Sequence, residues 1–138
     1  MGDGTRLADS FIHLGLGASA IPQPPFDGPD WYEHYGARHA SDGAEGRLVS
    51  LHSFNEGWAS WEMHPKGAEI VLCTEGSMLL TQEFPDGRRA QLRLEAGEYA
   101  INPPGVWHIA DVATHATAVF VTAGEGTEMR ERSDFPVD

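Results

Sequence analysis

WASWEMHPKGAEIVLCTEG, residues 58–76, and its later echo GEYAINPPGVWH, residues 97–108, carry most of the information in this chain. Along a strand, side chains alternate between two faces, so Ser60, Glu62 and His64 share one face while Trp61 and Met63 share the other. A carboxylate and an imidazole thus point the same way. The PKG that follows can reverse the chain, because Pro presets φ and Gly tolerates positive φ, and Glu69 then begins a return strand beside them. A second imidazole, His108, arrives after the turn-rich NPPG. Four residues of metal-ligand type, Glu62, His64, Glu69 and His108, can therefore meet inside one β structure.

From residue 47 onward the chain reads as short β-rich runs broken by turn signals, the pattern of a sandwich or barrel. RLVSLHSF, WASWEMH, EIVLCTE, SMLLTQEF, AQLRLEA, EYAIN, VWHIADV and ATAVFVTAG are each expected to form a strand or part of one. FNEG, PKG, EG, PDGRR, EAG and NPPG separate them. PDG at 85–87 is a hairpin turn: Asp bonds its own backbone and Gly accepts a left-handed conformation. In AQLRLEA, Leu92 and Leu94 alternate with polar residues, so one face is wet, whereas EIVLC and AVFV are apolar throughout, as strands covered on both sides are.

Residues 1–46 form a leader rich in Gly, Pro, Asp and Ala, expected to be a loop-rich arm packed on the barrel or on a dimer partner. IPQPPFDGPD cannot hold a regular helix or central strand. WYEHYGARH, 31–39, is expected to make a short helical turn capped by Asp30 and closed near Gly36, with Trp31, Tyr32 and Tyr35 pinning the arm. Residues 47–124 form the barrel. The charged tail, 125–138, is expected to be a short helix or a disordered end.

The 138 residues suffice for one domain around one core. With 9 Lys and Arg against 21 Asp and Glu, the formal net charge of -12 disfavours nucleic acid and anionic membrane surfaces. The expected partner is a small molecule. Cys73 is alone, so no internal disulfide is available, and a cytoplasmic location is expected. No apolar run approaches the ~20 residues of a membrane-spanning helix. FIHLGLGASA is interrupted by His13 and preceded by acids, unlike a signal peptide, and Met1-Gly2 lacks the Ser or Thr that an acylation start wants, Arg6 standing there instead.

The two opening stretches resemble the two motifs of the cupin superfamily, G(X)5HXH(X)3,4E(X)6G and G(X)5PXG(X)2H(X)3N. Gly97, Pro103, Gly105 and His108 keep the second motif's spacing, and His64, Glu69 and Gly76 that of the first. Glu62 stands where the first motif opens with histidine, and Val112 replaces the closing Asn of the second. The resemblance covers roughly 47–124. It implies an all-β fold, a double-stranded β-helix or jelly-roll barrel, with the motif residues as metal ligands at the barrel mouth, and it is similar in its leader and ending to small single-domain bacterial cupins.

Replacing one His by Glu62 changes the chemistry. Three His and one Glu around a divalent ion leave a net charge of about +1, whereas two Glu and two His leave about zero, a weaker Lewis acid less attractive to anions. Fe, Mn, Zn and Ni all suit such a set, with the oxygen share tilting towards Mn or Fe. Alternatively His64, Glu69 and His108 form a two-His, one-carboxylate triad, and Glu62 acts as a neighbouring catalytic acid or base. Ser60, Cys73, Tyr99 and Phe120 are expected around the pocket, with His52 and His115 as further candidates whose facing depends on strand register. Trp107 is expected to point away from the metal.

Three functions compete. One is a metal-dependent enzyme on a small organic substrate, of dioxygenase, isomerase, cyclase or lyase type. Another is a non-catalytic ligand-binding or sensing module, and the last is a metal-free storage or scaffold protein. Exposed β edges and the arm lead to the expectation of a homodimer.

Overall fold

The computed structural model describes residues 2–137. Met1, on which the acylation reading begins, and Asp138 at the end of the tail lie outside them. Ten strands and one helix follow in chain order: β1 (Ile12–Gly15), β2 (Ser19–Pro22), α1 (Asp30–His39), β3 (Arg47–Phe54), β4 (Ser60–Met63), β5 (Glu69–Glu83), β6 (Arg89–Glu95), β7 (Tyr99–Asn102), β8 (Trp107–Asp111), β9 (Ala116–Thr122) and β10 (Glu128–Glu131). Among the described residues no helix is long and apolar enough to cross a membrane.

All strand pairs are antiparallel, and they form two facing sheets that share β5. Its first half lies between β7 and β9, continuing through β3, β1 and β2. Its second half lies between β6 and β8, continuing through β4 to β10. The sheets face each other across a core of Val71, Cys73, Met78, Leu80, Leu94, Ala100, Ala110 and Phe120, among others. Burying both inner faces removes apolar area from water at ~25 cal/mol per Å² and is the main force closing the barrel. This is the expected all-β jelly roll, the cupin-type double-stranded β-helix.

EIVLCTE and SMLLTQEF are one strand of 15 residues rather than two. The EG between them does not reverse the chain. The pairing with β9 slips between Cys73 and Glu75, and Gly76 takes φ of 69°. A bulge of this kind bends a strand sharply without ending it, which lets β5 leave one sheet and enter the other. The tail is also more regular than expected. Residues 128–131 pair with all of β4, and a 3-10 turn at Arg132–Asp134 follows.

The leader contains more structure than its composition announces. β1 and β2 form a hairpin, and β1 extends the larger sheet by pairing with β3. The helix runs through Gly36 to His39, with Pro29 at its N-cap and no side-chain cap. Phe11, Trp31 and Leu48 make a second small core that seats the arm on the barrel, joined by Leu7 and Tyr35. Propensity alone is too weak a signal to announce these elements; burial of the aromatic residues stabilises them.

Candidate metal centre

The turn at Pro103–Gly105 hangs on the strand end that carries His64, for the Gly105 amide donates to the His64 carbonyl at 3.0 Å. β8 then places His108 opposite Glu62 on β4 and Gln82 on β5, while Glu69 opens β5 opposite Asn102. The stretches 58–76 and 97–108 thus deliver their side chains into one volume. His64 Nε2 lies 3.1 Å from Glu69 Oε2, and His108 Nε2 lies 3.1 Å from Glu69 Oε1. Glu62 Oε2 is farther, 4.0 Å from His64 and 3.8 Å from His108. The imidazoles and Glu69 are buried, whereas the Glu62 side chain is 35% exposed.

Supporting hydrogen bonds fix the tautomer of each ring. Thr127 Oγ1 donates to the Gly124 carbonyl at 2.8 Å, so it must accept from His64 Nδ1 at 2.7 Å. His108 Nδ1 faces the Val106 carbonyl at 3.4 Å, a group that can only accept. In the neutral rings both Nε2 atoms are therefore bare lone pairs, and both lack a hydrogen bond of acceptable geometry. Bare nitrogens 3.1 Å from carboxylate oxygens repel unless a proton or a cation stands between them. Glu69 is itself oriented by Thr122 Oγ1 at 2.6 Å and Asn102 Nδ2 at 3.1 Å, and Asn102 is held by Gln82 at 2.8 Å. Such second-layer contacts are what a metal ligand set needs.

The electrostatics say the same. Burial alone would raise the Glu69 carboxyl, but the His108 and His64 imidazoles outweigh it and hold it well below the usual carboxylate range. Burial alone would lower the His108 imidazole, but the facing Glu62 and Glu69 carboxylates push it up to about 9. Without a metal the site thus captures a proton. Glu62, His64 and His108 each offer an atom within 4.8 Å of the others, and Glu69 touches both rings, so the set fits a divalent ion.

An open cavity of about 1080 Å³ reaches this centre, and Glu62, His64, Glu69, Ser60 and Phe120 all line it. Phe54, Trp58 and Phe120 form an aromatic wall, their ring centroids 5.5 to 6.2 Å apart. His52 lines the cavity too, its Nε2 hydrogen-bonded with the Tyr32 hydroxyl at 2.8 Å, and burial lowers its imidazole. His108 lies behind the wall, fully buried.

Cys73 and Tyr99 do not reach the cavity. Cys73 does face inward, but it sits in the core between the sheets, its thiol pushed up by burial. Tyr99 is 64% exposed, because on β7 it is Ala100 and Asn102 that face in. His115 is exposed beside Glu75. Trp107 carries the Arg130 guanidinium 4.6 Å above its ring, on the far side of its sheet from the cavity. Asn102, Thr122 and Thr127 belong to the site without having been singled out by sequence, and Tyr32, expected only to pin the arm, lines the cavity. Asn102 is hidden in a turn signal and Thr127 in the charged tail.

No family model matches the chain, and no curated protein matches it. Among solved structures, recombinant oxalate oxidase in complex with glycolate aligns over 75% of this chain and 57% of its own, at 19% identity and a TM-score of 0.56. A second oxalate oxidase structure aligns over 67% of this chain and 50% of its own, at 20% identity and a TM-score of 0.55. Peruvianin-I, a cysteine peptidase from Thevetia peruviana latex, aligns over 62% of this chain and 56% of its own, at 22% identity and a TM-score of 0.52. The chain spans about half the length of these proteins. Identities this low carry the fold and not the activity. With the two facing sheets and the shared β5, they show that the fold of this chain is that of a small cupin.

Proposed function

We propose that this chain binds one divalent metal ion, Fe, Mn, Zn or Ni, through Glu62, His64, Glu69 and His108, and acts as an enzyme on a small organic molecule held in the cavity. The observation that carries the reading is the pair of buried Nε2 atoms, on His64 and His108, whose lone pairs face the two oxygens of the Glu69 carboxylate with no hydrogen bond of acceptable geometry between them. When bound, the ion would supply Lewis acidity, and redox chemistry as well if it is iron. His64, Glu69 and His108 are the buried ligands. Glu62 is the member of the set that the cavity reaches most openly, and its carboxylate holds or moves the ligand's proton. Phe54, Trp58 and Phe120 exclude water and orient the apolar part of the ligand. A dioxygenase reaction would need redox-active iron, whereas an isomerase, cyclase or lyase reaction would need only a Lewis acid.

A non-catalytic binding module is the second reading. It is favoured by the charge balance of the metal-free site, where a protonated His108 already offsets a carboxylate. The outer face of the larger sheet, where Tyr99, Ile101, Ile70 and Leu72 form an uncharged patch, supports a homodimer, and the single buried thiol of Cys73 fits a cytoplasmic setting.

Metal content by mass spectrometry separates the two readings. Near-stoichiometric metal is expected in protein from rich medium and absent in His64→Ala, while Glu62→Ala loses the metal if Glu62 is a ligand, or keeps the metal and loses turnover if Glu62 is the acid or base. No metal in either the wild type or His64→Ala, even after reconstitution, sinks the metalloenzyme reading.

A further inference from the structure

The same cavity has a second polar wall. His13 on β1, Tyr35 and His39 on α1, and the 3-10 turn that carries Asp42 converge at its arm end, and His13, Tyr35 and His39 line it. His13 is 1% exposed, and both ring nitrogens are engaged: Nε2 lies 2.6 Å from Asp42 Oδ2, and Nδ1 lies 2.6 Å from the Tyr35 hydroxyl. His39 stacks on the ring at 3.7 Å. Two glycines make room for the pair. A Cβ on Gly15 would stand 2.8 Å from Asp42 Oδ2, and one on Gly46 would stand 2.9 Å from His13 Cε1. Tyr35 is held flat against Trp31, ring planes 4° apart, so its hydroxyl is fixed in position.

We propose that Asp42, His13 and Tyr35 form a proton relay serving the ligand in the cavity, with the Tyr35 oxygen as the group that meets a hydroxyl of that ligand. The bonding order supports this direction. A carboxylate only accepts, so His13 Nε2 carries the hydrogen, and Nδ1 then accepts from Tyr35, whose hydroxyl has no other acceptor among the described residues. The Tyr35 oxygen is left presenting lone pairs to the cavity. As the ligand O–H proton passes to the Tyr35 oxygen, the Tyr35 proton passes to His13 Nδ1. The ligand becomes an oxyanion, and the imidazolium is held against Asp42. Burial, with Asp42 adding to it, pushes the Tyr35 phenol up to about 12, so the resting residue keeps its proton. The other titratable groups close by are His39, lowered by burial and by His13, and Arg38, whose guanidinium lies over Trp31. The arm thereby gains a chemical role beyond seating itself on the barrel.

His13, His39 and Asp42 also have the spacing of a metal site, which makes a competing outcome. The inference rests on the proposed function for its ligand, but its test does not. Nitrogen-15 imidazole spectra of metal-free protein between pH 6 and 9, with His13 assigned through His13→Gln, report the tautomer directly. A hydrogen on Nε2 and none on Nδ1 is expected. Tyr35→Phe should shift Nδ1 towards an unbonded nitrogen, and added phenol should perturb Nδ1 in the wild type but not in Tyr35→Phe. An imidazolium persisting through pH 8 would make the cluster a structural ion pair, and equal phenol responses would remove the ligand contact; either overturns the relay. So would broadening of the His13 signal by a second equivalent of Co(II). Should Co(II) leave His64 and His108 unbroadened while His13 keeps its tautomer, the metal centre fails and the relay stands. The wild-type spectrum decides the tautomer even where a variant does not fold.

Discussion

Thr127 stands on the cavity wall behind His64, and its hydroxyl decides which nitrogen of that ring is bare. Because it donates to Gly124, it can only accept from Nδ1, and Nε2 is turned towards Glu69. Thr127→Val keeps the shape and removes the acceptor. Losses of this kind typically cost 10–100-fold in metal affinity, and that range, about 1.4–2.7 kcal/mol, is expected here. Competition against a chromophoric chelator measures it; Thr127→Ser should recover most of the affinity, and an unchanged Thr127→Val would show that Val106 and Glu69 suffice to orient the rings. At this scale the sequence was informative about residue type and spacing. Glu62, His64, Glu69 and His108 meet because β alternation and two turns are simple rules. Thr127, Thr122 and Asn102 were illegible because a hydroxyl or amide gives no sign in sequence of which distant carboxylate it will orient. Tyr99 shows the complementary limit, since one residue of register sends a side chain to the opposite face.

Among the elements, β5 carries the fold, and Gly76 lets it do so. At φ of 69° a side chain is already strained, and a Cβ would stand 1.9 Å from the His115 carbonyl oxygen, which belongs to backbone and cannot turn aside. Gly76→Ala is expected to destabilise by about 2–4 kcal/mol, the sum of a left-handed penalty and overpacking, read from the urea midpoint at unchanged slope. A loss below ~0.5 kcal/mol would mean that the bulge re-forms elsewhere. The sequence signalled a turn at Glu75-Gly76 because EG looks like a hairpin; only pairing with β9 shows that the strand bends there and continues. β10 was missed for a related reason. Its four residues have no apolar alternation, and what holds them is Arg130, packed 4.6 Å from Trp61 and 3.9 Å from Phe135 and bonded to Glu83 at 2.7 Å. Burial would raise the Glu83 carboxyl, but Arg130 and Arg89 outweigh it and lower it. A depressed carboxyl stabilises the fold above its unfolded value near 4.5 and ceases to as pH falls through its folded value. Metal-free wild type should therefore lose stability faster than Glu83→Gln below about pH 4.5, so that their unfolding midpoints converge in acid; parallel curves would show that the ion pairs contribute nothing.

The whole molecule carries a formal charge of -12, and any face bearing that charge repels a second copy. One face does not bear it. On the outside of the larger sheet, Ile101, Ile70, Val121 and Val49 lie in register across four strands, and Tyr99, Leu72, Val119 and Leu51 lie beside them. Neither row contains a charged or polar-chain residue apart from the Tyr99 phenol, and Tyr99 and Ile101 are 64% and 50% exposed. A contiguous apolar surface of this kind marks an interaction site rather than a solvated sheet. A second copy is the occupant that the charge favours, because two such faces meeting on a two-fold axis bring together the least charged parts of two acidic molecules. Light scattering behind size exclusion should give twice the chain mass, and Leu72→Glu with Val119→Glu should give a folded monomer, since each would place a desolvated carboxylate opposite its own copy. A wild-type mass of one chain at tens of micromolar would refute the pairing. Metal content unchanged between dimer and monomer would then show that assembly and the Glu62, His64, Glu69 and His108 centre are separate properties of the fold. That separation is expected, because Glu62, His64 and Glu69 line the cavity with His108 buried behind its wall, while the apolar rows lie on the opposite face of the sheet.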